Sequence, residues 1–267
     1  MTSATAAADK AQDSTAFRVT ARVGYVVLGL LHLLIGVIAV SIATGAGGDS
    51  ADQSGALQQV RDAPLGTALL WVIVVGLAAL AVWKIAEAIV ERDPDSKKRW
   101  AHRAKDVGTA IAYVAIAVTA FTLATGGSSE SSESSKTLSA QILAMPGGVV
   151  LLVVVGLGVA AIGVAFVVRG ITRAFEKSLS IPGGNTGRGI RVFGTVGYIA
   201  KGIAVGVAGI LFIVAALTHD PNAAGGIDAA LRSLASLPFG QIVLWVVGAG
   251  LVVYGVFCFA RARYARM

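Results

Sequence analysis

The sequence predicts an all-α integral membrane protein. It has six transmembrane helices, built as three parallel two-helix repeats in a pseudo-threefold bundle, with short amphipathic helices in the exterior loops. Three observations carry this. The chain of 267 residues is 55% hydrophobic and only 14% charged, against about 25% charged in a soluble domain, and its mean hydropathy is +0.76. The apolar residues fall in blocks free of Asp, Glu, Lys and Arg, at 24–43, 65–83, 107–127, 137–168, 202–218 and 233–260. A span needs about 20 such residues; the fifth block reaches that length by starting near Val196 and taking in Lys201. Finally, one plan of apolar helix, polar loop, apolar helix and charged run recurs three times.

Taken in order, residues 1–17 are small and polar without periodicity and read as a disordered cytoplasmic tail. They are not read as the start of a signal peptide, because the apolar stretch that follows exceeds an h-region of about 7–15 residues. Repeat 1 covers 18–92, with helices at about 24–43 and 66–89. Repeat 2 covers 103–177, with helices at about 107–125 and 147–168. Repeat 3 covers 188–264, with helices at about 196–217 and 238–260.

The repeat is legible without gaps. Gly24, Tyr25, Gly29, Gly36 and Ala43 fall on Gly197, Tyr198, Gly202, Gly209 and Ala216. Pro64, Gly66, Trp71 and Gly76 fall on Pro238, Gly240, Trp245 and Gly250, and the middle copy keeps Tyr113, Pro146, Gly148 and Gly158. The tyrosines and tryptophans then read as aromatic belts at the two interfaces. The glycines read as points of close helix approach, with Gly202 and Gly206 packing within the bundle rather than between chains.

All but four of the 22 lysines and arginines lie in the tail, in the loops after the second and fourth helices, and at the C-terminus; Arg61, Lys136 and Arg232 lie in the other loops and Lys201 in a span. The positive-inside rule therefore places both termini in the cytoplasm. The same placement explains the net charge of +7 by membrane topology and anionic lipid, without nucleic acid. The one cysteine, Cys258, permits no internal disulfide.

Before each Pro-x-Gly lies a short amphipathic segment, 56–60, 138–144 and 227–237. These read as helices on the outer interface, with the proline in the first turn of the descending helix. The tract 126–136 and the run Gly183-Gly184-Asn185-Thr186-Gly187 read as flexible.

Ionisable residues inside spans are functional candidates by default. His32 falls about 12 Å into the first helix, near the bilayer midplane. It reads as a neutral imidazole bonded to a neighbouring helix, with a proton relay or cofactor ligand as the sharper alternative. Lys84 and Glu87, three apart, share a helix face and form a rim ion pair. Lys201, one turn into its helix, snorkels to the interface or binds an anion from the cytoplasm. Glu87 aligns with Arg169 and Arg261 of the other copies, which suggests inter-repeat ion pairs among the three at the cytoplasmic end. No metal-ligand pair, phosphate loop or nucleophile elbow is present at recognisable spacing, so neither a cofactor nor an enzymatic activity is expected.

The Gly-Tyr helix, the Pro-x-Gly opening with tryptophan at Trp71 and Trp245, and the run Trp83-Lys84-Ile85-Ala86-Glu87-Ala88 resemble actinobacterial membrane proteins of the domain-of-unknown-function 1206 family. The resemblance covers nearly the whole chain and departs most in copy 2, where Val153 replaces the tryptophan and Arg169 stands opposite Glu87. It implies a plasma-membrane location and carries no activity and no functional residues. The expected role is a non-catalytic scaffold or accessory subunit set in the lipid bilayer and packing against protein or lipid partners. The alternative is a small-molecule, ion or lipid transporter or channel with a pathway along the threefold axis.

Overall fold

The computed structural model describes residues 15–46, 50–91 and 94–266; most of the expected N-terminal tail, 1–14, lies outside them. Six long helices are apolar enough to cross a membrane: α1 (Thr15–Ala43), α3 (Gly66–Val90), α4 (Ser96–Ala124), α6 (Gly148–Ile171), α7 (Gly184–Thr218) and α9 (Gly240–Tyr264). Three shorter ones occupy the intervening loops: α2 (Gln53–Asp62), α5 (Ser131–Leu143) and α8 (Gly226–Ala235). No strand forms among the described residues. An all-helical solution meets what a bilayer requires, since each helix satisfies its backbone polar groups within its own segment.

The residues divide into two compact units. One takes the chain up to Leu28, Leu57–Ser129 and Arg261 onward; the other takes Gly29–Ala56 and Glu130–Ala260. In the first unit α3 packs on α4, through rings such as Trp71 and Phe121 at 5.6 Å, and α1 meets α3 where a Cβ on Gly24 would lie 2.4 Å from the Gly76 carbonyl oxygen. In the second unit α6 packs along α7. There a Cβ on Gly209 would lie 2.3 Å from the Ala160 nitrogen, and one on Gly202 2.6 Å from the Gly163 oxygen. The same unit pairs α1 with α9: a Cβ on Gly36 would stand 2.7 Å from the Gly248 oxygen, and one on Gly29 2.9 Å from the Gly255 oxygen.

These two interfaces are one interface used twice. Gly29 and Gly36 are the repeat counterparts of Gly202 and Gly209, and Gly248 and Gly255 those of Gly156 and Gly163. Glycines seven apart on both helices let the backbones touch across two turns. The α6–α7 and α1–α9 pairs therefore each join the second helix of one copy to the first helix of another. In the α3–α4 pair the same positions hold Val74, Ala81, Ala117 and Ala124, without the glycines.

Each descending helix opens in the same way. Leu65, Gly147 and Phe239, the central residues of the three Pro-x-Gly motifs, all have left-handed backbones (φ 62°, 76° and 59°). The helix starts at the following glycine. A Cβ on Gly66 would fall 2.2 Å from the Arg61 oxygen and one on Gly240 2.1 Å from the Leu234 oxygen. The prolines thus precede the helices by two residues and do not sit in the first turn as expected. The motif ends the loop helix and reverses the chain, and glycine is required by the carbonyls it passes.

Two stretches expected to be flexible are helical in part, 131–136 of the first and 184–187 of the second. In 126–136 the helix α5 begins at Ser131, where the hydroxyls of Ser134 and Ser135 donate to the Glu130 and Ser131 carbonyls. Gly184 to Gly187 form the first turn of α7, with Gly187 folded onto the Pro182 oxygen. Helix α4 starts eleven residues ahead of its apolar block because Asp95 caps it, accepting from the Lys97 and Lys98 amides at 2.9 and 3.4 Å. Asp95→Ala is expected to cost about 1 kcal/mol, read as a lower unfolding midpoint of the purified protein.

The loop helices are tied by polar contacts. The Ala51 amide donates to Asp228 Oδ1 at 2.8 Å, which joins the loops of copies 1 and 3. The Ser131 amide donates to Ser54 Oγ at 3.0 Å, which joins copies 1 and 2.

Candidate functional site

Two clusters gather the residues singled out from the sequence. The first stands at the end of α3. Glu87 accepts from the Trp83 indole at 2.8 Å and is paired with Lys84. The i, i+3 and i+4 spacing on a helix puts the three side chains on one face. The ammonium of Lys84 also stands 3.5 Å from Asp106 Oδ1 on α4, and Lys105 stands at 3.5 Å from the same oxygen. Lys84 is thus shared by two carboxylates, and Asp106 is 4% exposed. The spacing of three along one helix makes the Lys84–Glu87 pair legible in the sequence, whereas Asp106 joins it from another helix. The available signal was an acid at the mouth of a span, next to a run of basic residues.

The second cluster lies among α1, α6, α7 and α9. The His32 ring, 7% exposed, meets the Tyr254 ring edge-on at 4.8 Å. The Lys201 ammonium lies 4.7 Å above Tyr254 and 5.2 Å above Phe166. His32 and Lys201, from different copies, therefore converge on one tyrosine. Tyr254 packs at 5.3 Å on Tyr198, which stacks on Phe175 at 5.4 Å. Phe175 belongs to the 3-10 turn Ala174–Ser178. Tyr254 aligns with Leu80 and Ile162 in the other copies, so the repeat pattern concealed it. A cation over an aromatic face is attracted by the ring quadrupole, by about 2 kcal/mol when desolvated, which gives Lys201 a partner below the interface.

Arg169 and Arg261, expected to pair with Glu87, each face a tyrosine. The Arg261 guanidinium lies 4.5 Å from the Tyr25 ring and that of Arg169 5.5 Å from the Tyr198 ring. The two tyrosines are repeat counterparts, as are the two arginines. The tyrosine belt expected near the inner face is therefore not exposed to lipid: Tyr25, Tyr113 and Tyr198 are all buried. Trp71 and Trp245 remain exposed, as an interfacial belt requires.

Six apolar helices long enough to span, repeated hairpins and side chains paired inside the spans define a multi-pass membrane protein built from an internal repeat. The chain belongs to the family described as Domain of Unknown Function (DUF1206), whose model matches it three times, at residues 23–91, 106–173 and 196–265. It is also 32% identical over 261 residues to an uncharacterised protein, YxxB, of Bacillus subtilis (strain 168), covering 92% of this chain and 90% of that one. No solved structure matches it.

Proposed function

We propose that the protein is a non-catalytic scaffold or accessory subunit of the plasma membrane, with both termini in the cytoplasm, packing its second repeat against another membrane protein. The observation that carries this reading is the uneven burial of the six spans. Helices α1 and α9 bury 56% and 50% of their most apolar windows, whereas α4 and α6, the two helices of copy 2, bury 28% and 17%. Gly158 on α6 is exposed, with open space around the position of a Cβ, although its counterparts Gly76 and Gly250 are buried. Around it Val154, Leu157 and Val164 face outward. The in-span charges, by contrast, are engaged within the protein, Lys84 by carboxylates and Lys201 by aromatic rings.

The test is a photo-crosslinking residue at position 157 in native membranes. A discrete protein adduct, absent when the probe is moved to the buried position 152, supports the reading. Adducts to lipid alone would sink it.

Transport is the second reading, favoured by the convergence of His32 and Lys201 on Tyr254. Proteoliposomes that pass ions or small solutes, and lose this with His32→Ala, would replace the first reading by the second.

A further inference from the structure

We infer that the loop face of the protein holds a binding site for a small hard cation, centred on Asp52. The site needs no partner protein and so goes beyond the scaffold reading. Asp52 lies just ahead of α2 and is 1% exposed. Its Oδ1 accepts from the Ser54 hydroxyl at 2.7 Å and the Gly55 amide at 3.0 Å, the arrangement of a helix N-cap. Its Oδ2 is buried and has no hydrogen-bond partner among the described residues.

Asp52 also lines a cavity of about 180 Å³. Gln53, Ser131 and Ser135, residues with side-chain oxygens, line it as well, together with Gly225 and Gly226. Val159, Ala208 and Phe212, from α6 and α7, form an apolar wall. A water takes about 30 Å³ of liquid, so the space holds a partly hydrated ion or a compact ligand.

A buried carboxylate oxygen without a partner is costly, and proteins meet the cost with a cation or a donor. Among the described residues, Asp228 and Lys136 on the neighbouring loop helices are already engaged. Asp228 accepts from the Ala51 amide and from Arg232 Nε, at 3.0 Å to each carboxylate oxygen. Lys136, whose Cε comes within 3.6 Å of the place a Gly225 Cβ would take, has its ammonium 3.4 Å from Glu133. Among the described residues no group of three His, Cys, Asp or Glu gathers. The donor set is therefore one carboxylate with neutral hydroxyl, amide and carbonyl oxygens. Oxygen donors without nitrogen or sulfur suit sodium or calcium over a softer metal. Asp52 is also the point where the copy 1 loop meets the copy 2 loop, through Ser54 and Ser131, so an ion here would brace two loops.

The experiment is thermal unfolding of the full chain in detergent, followed by tryptophan fluorescence. The background is choline chloride at constant ionic strength, with sodium, potassium, magnesium, calcium or methylammonium titrated in. At least one metal cation is expected to raise Tm saturably. Asp52→Asn is expected to keep or raise the Tm measured in choline, because asparagine caps a helix as well as aspartate and carries no unpaired buried charge, and to lose the saturable rise. Ser135→Ala, which leaves the cap intact, is expected to weaken the apparent affinity by roughly tenfold through loss of an oxygen donor. A response to methylammonium alone would reassign the site to an organic ammonium and overturn the metal assignment. Equal responses in wild type and Asp52→Asn, or no saturable response at all, would overturn the site itself. Should Asp52→Asn not fold, an unchanged affinity in Ser135→Ala is the overturning result.

Discussion

Gly209→Leu is expected to prevent stable folding, while Gly158→Ala in the neighbouring helix leaves the protein intact or slightly stabilised. A Cβ at position 209 would lie 2.3 Å from the Ala160 nitrogen and 2.8 Å from both the Ala160 Cα and the Gly156 oxygen. All three are backbone atoms, so no rotamer change makes room, and α6 and α7 must separate along their length. Overpacking at deformable sites costs about 1–3 kcal/mol; a leucine against two fixed backbones exceeds that range. Position 158 has open space instead, and the gain there is the helix propensity of alanine over glycine, up to about 1 kcal/mol. Yield of monodisperse protein in mild detergent and the midpoint of unfolding in a denaturing detergent read both outcomes. Gly36→Leu should match Gly209→Leu, since Gly36 makes the same contact with Gly248. If Gly209→Leu folds normally, the repeated glycine interface is not what holds these helices.

Lys84→Met is expected to destabilise the protein by about 3–5 kcal/mol, because it leaves the buried Asp106 carboxylate short of its counter-charge. The Lys84 side chain is 14% exposed and that of Asp106 6%. Lys105, also 3.5 Å from Asp106 but half exposed, compensates in part. That places the expected value at the lower end of the range. The informative variant is the double one. Lys84→Met with Asp106→Asn removes both charges and should recover most of the loss, since an uncharged pair avoids the desolvation of an unpaired ion. A double-mutant cycle measures the coupling. Additive effects would show that Lys84 and Asp106 do not depend on each other.

The parts of the structure that rest on composition and period could be read from the chain. Six long apolar blocks without charge predict six spans, and the ungapped Gly-Tyr and Pro-x-Gly positions mark a repeat. The loop helices followed from spacing such as Ile227, Leu231 and Leu234. Readings that depended on a residue's surroundings fared differently. Tyr25, Tyr113 and Tyr198 look like a lipid belt because tyrosine favours interfaces, yet they are buried, two of them beneath arginines. The prolines look like first-turn residues because proline is tolerated there, yet a left-handed residue and a carbonyl-hugging glycine separate them from the helix.

The candidate residues divide along the same line. The Lys84–Glu87 pair lies within one helix, where spacing of three fixes proximity. Asp106, Tyr254 and Asp52 join their clusters from other helices and loops, at positions that the repeat alignment treats as unremarkable or variable.

What the sequence determined by itself is therefore the number of helices, their repeat and their membrane character, because each is a property of consecutive residues in a single solvent. Only the tertiary structure decided which helix pairs with which, second helix of one copy to first of the next. That choice is made by backbone contact across Gly156–Gly209 and Gly36–Gly248, and a contact between distant segments leaves no periodic mark on either one. It likewise decided that His32 and Lys201 share Tyr254 and that Asp52 faces a cavity, since convergence of side chains depends on packing and not on spacing along the chain.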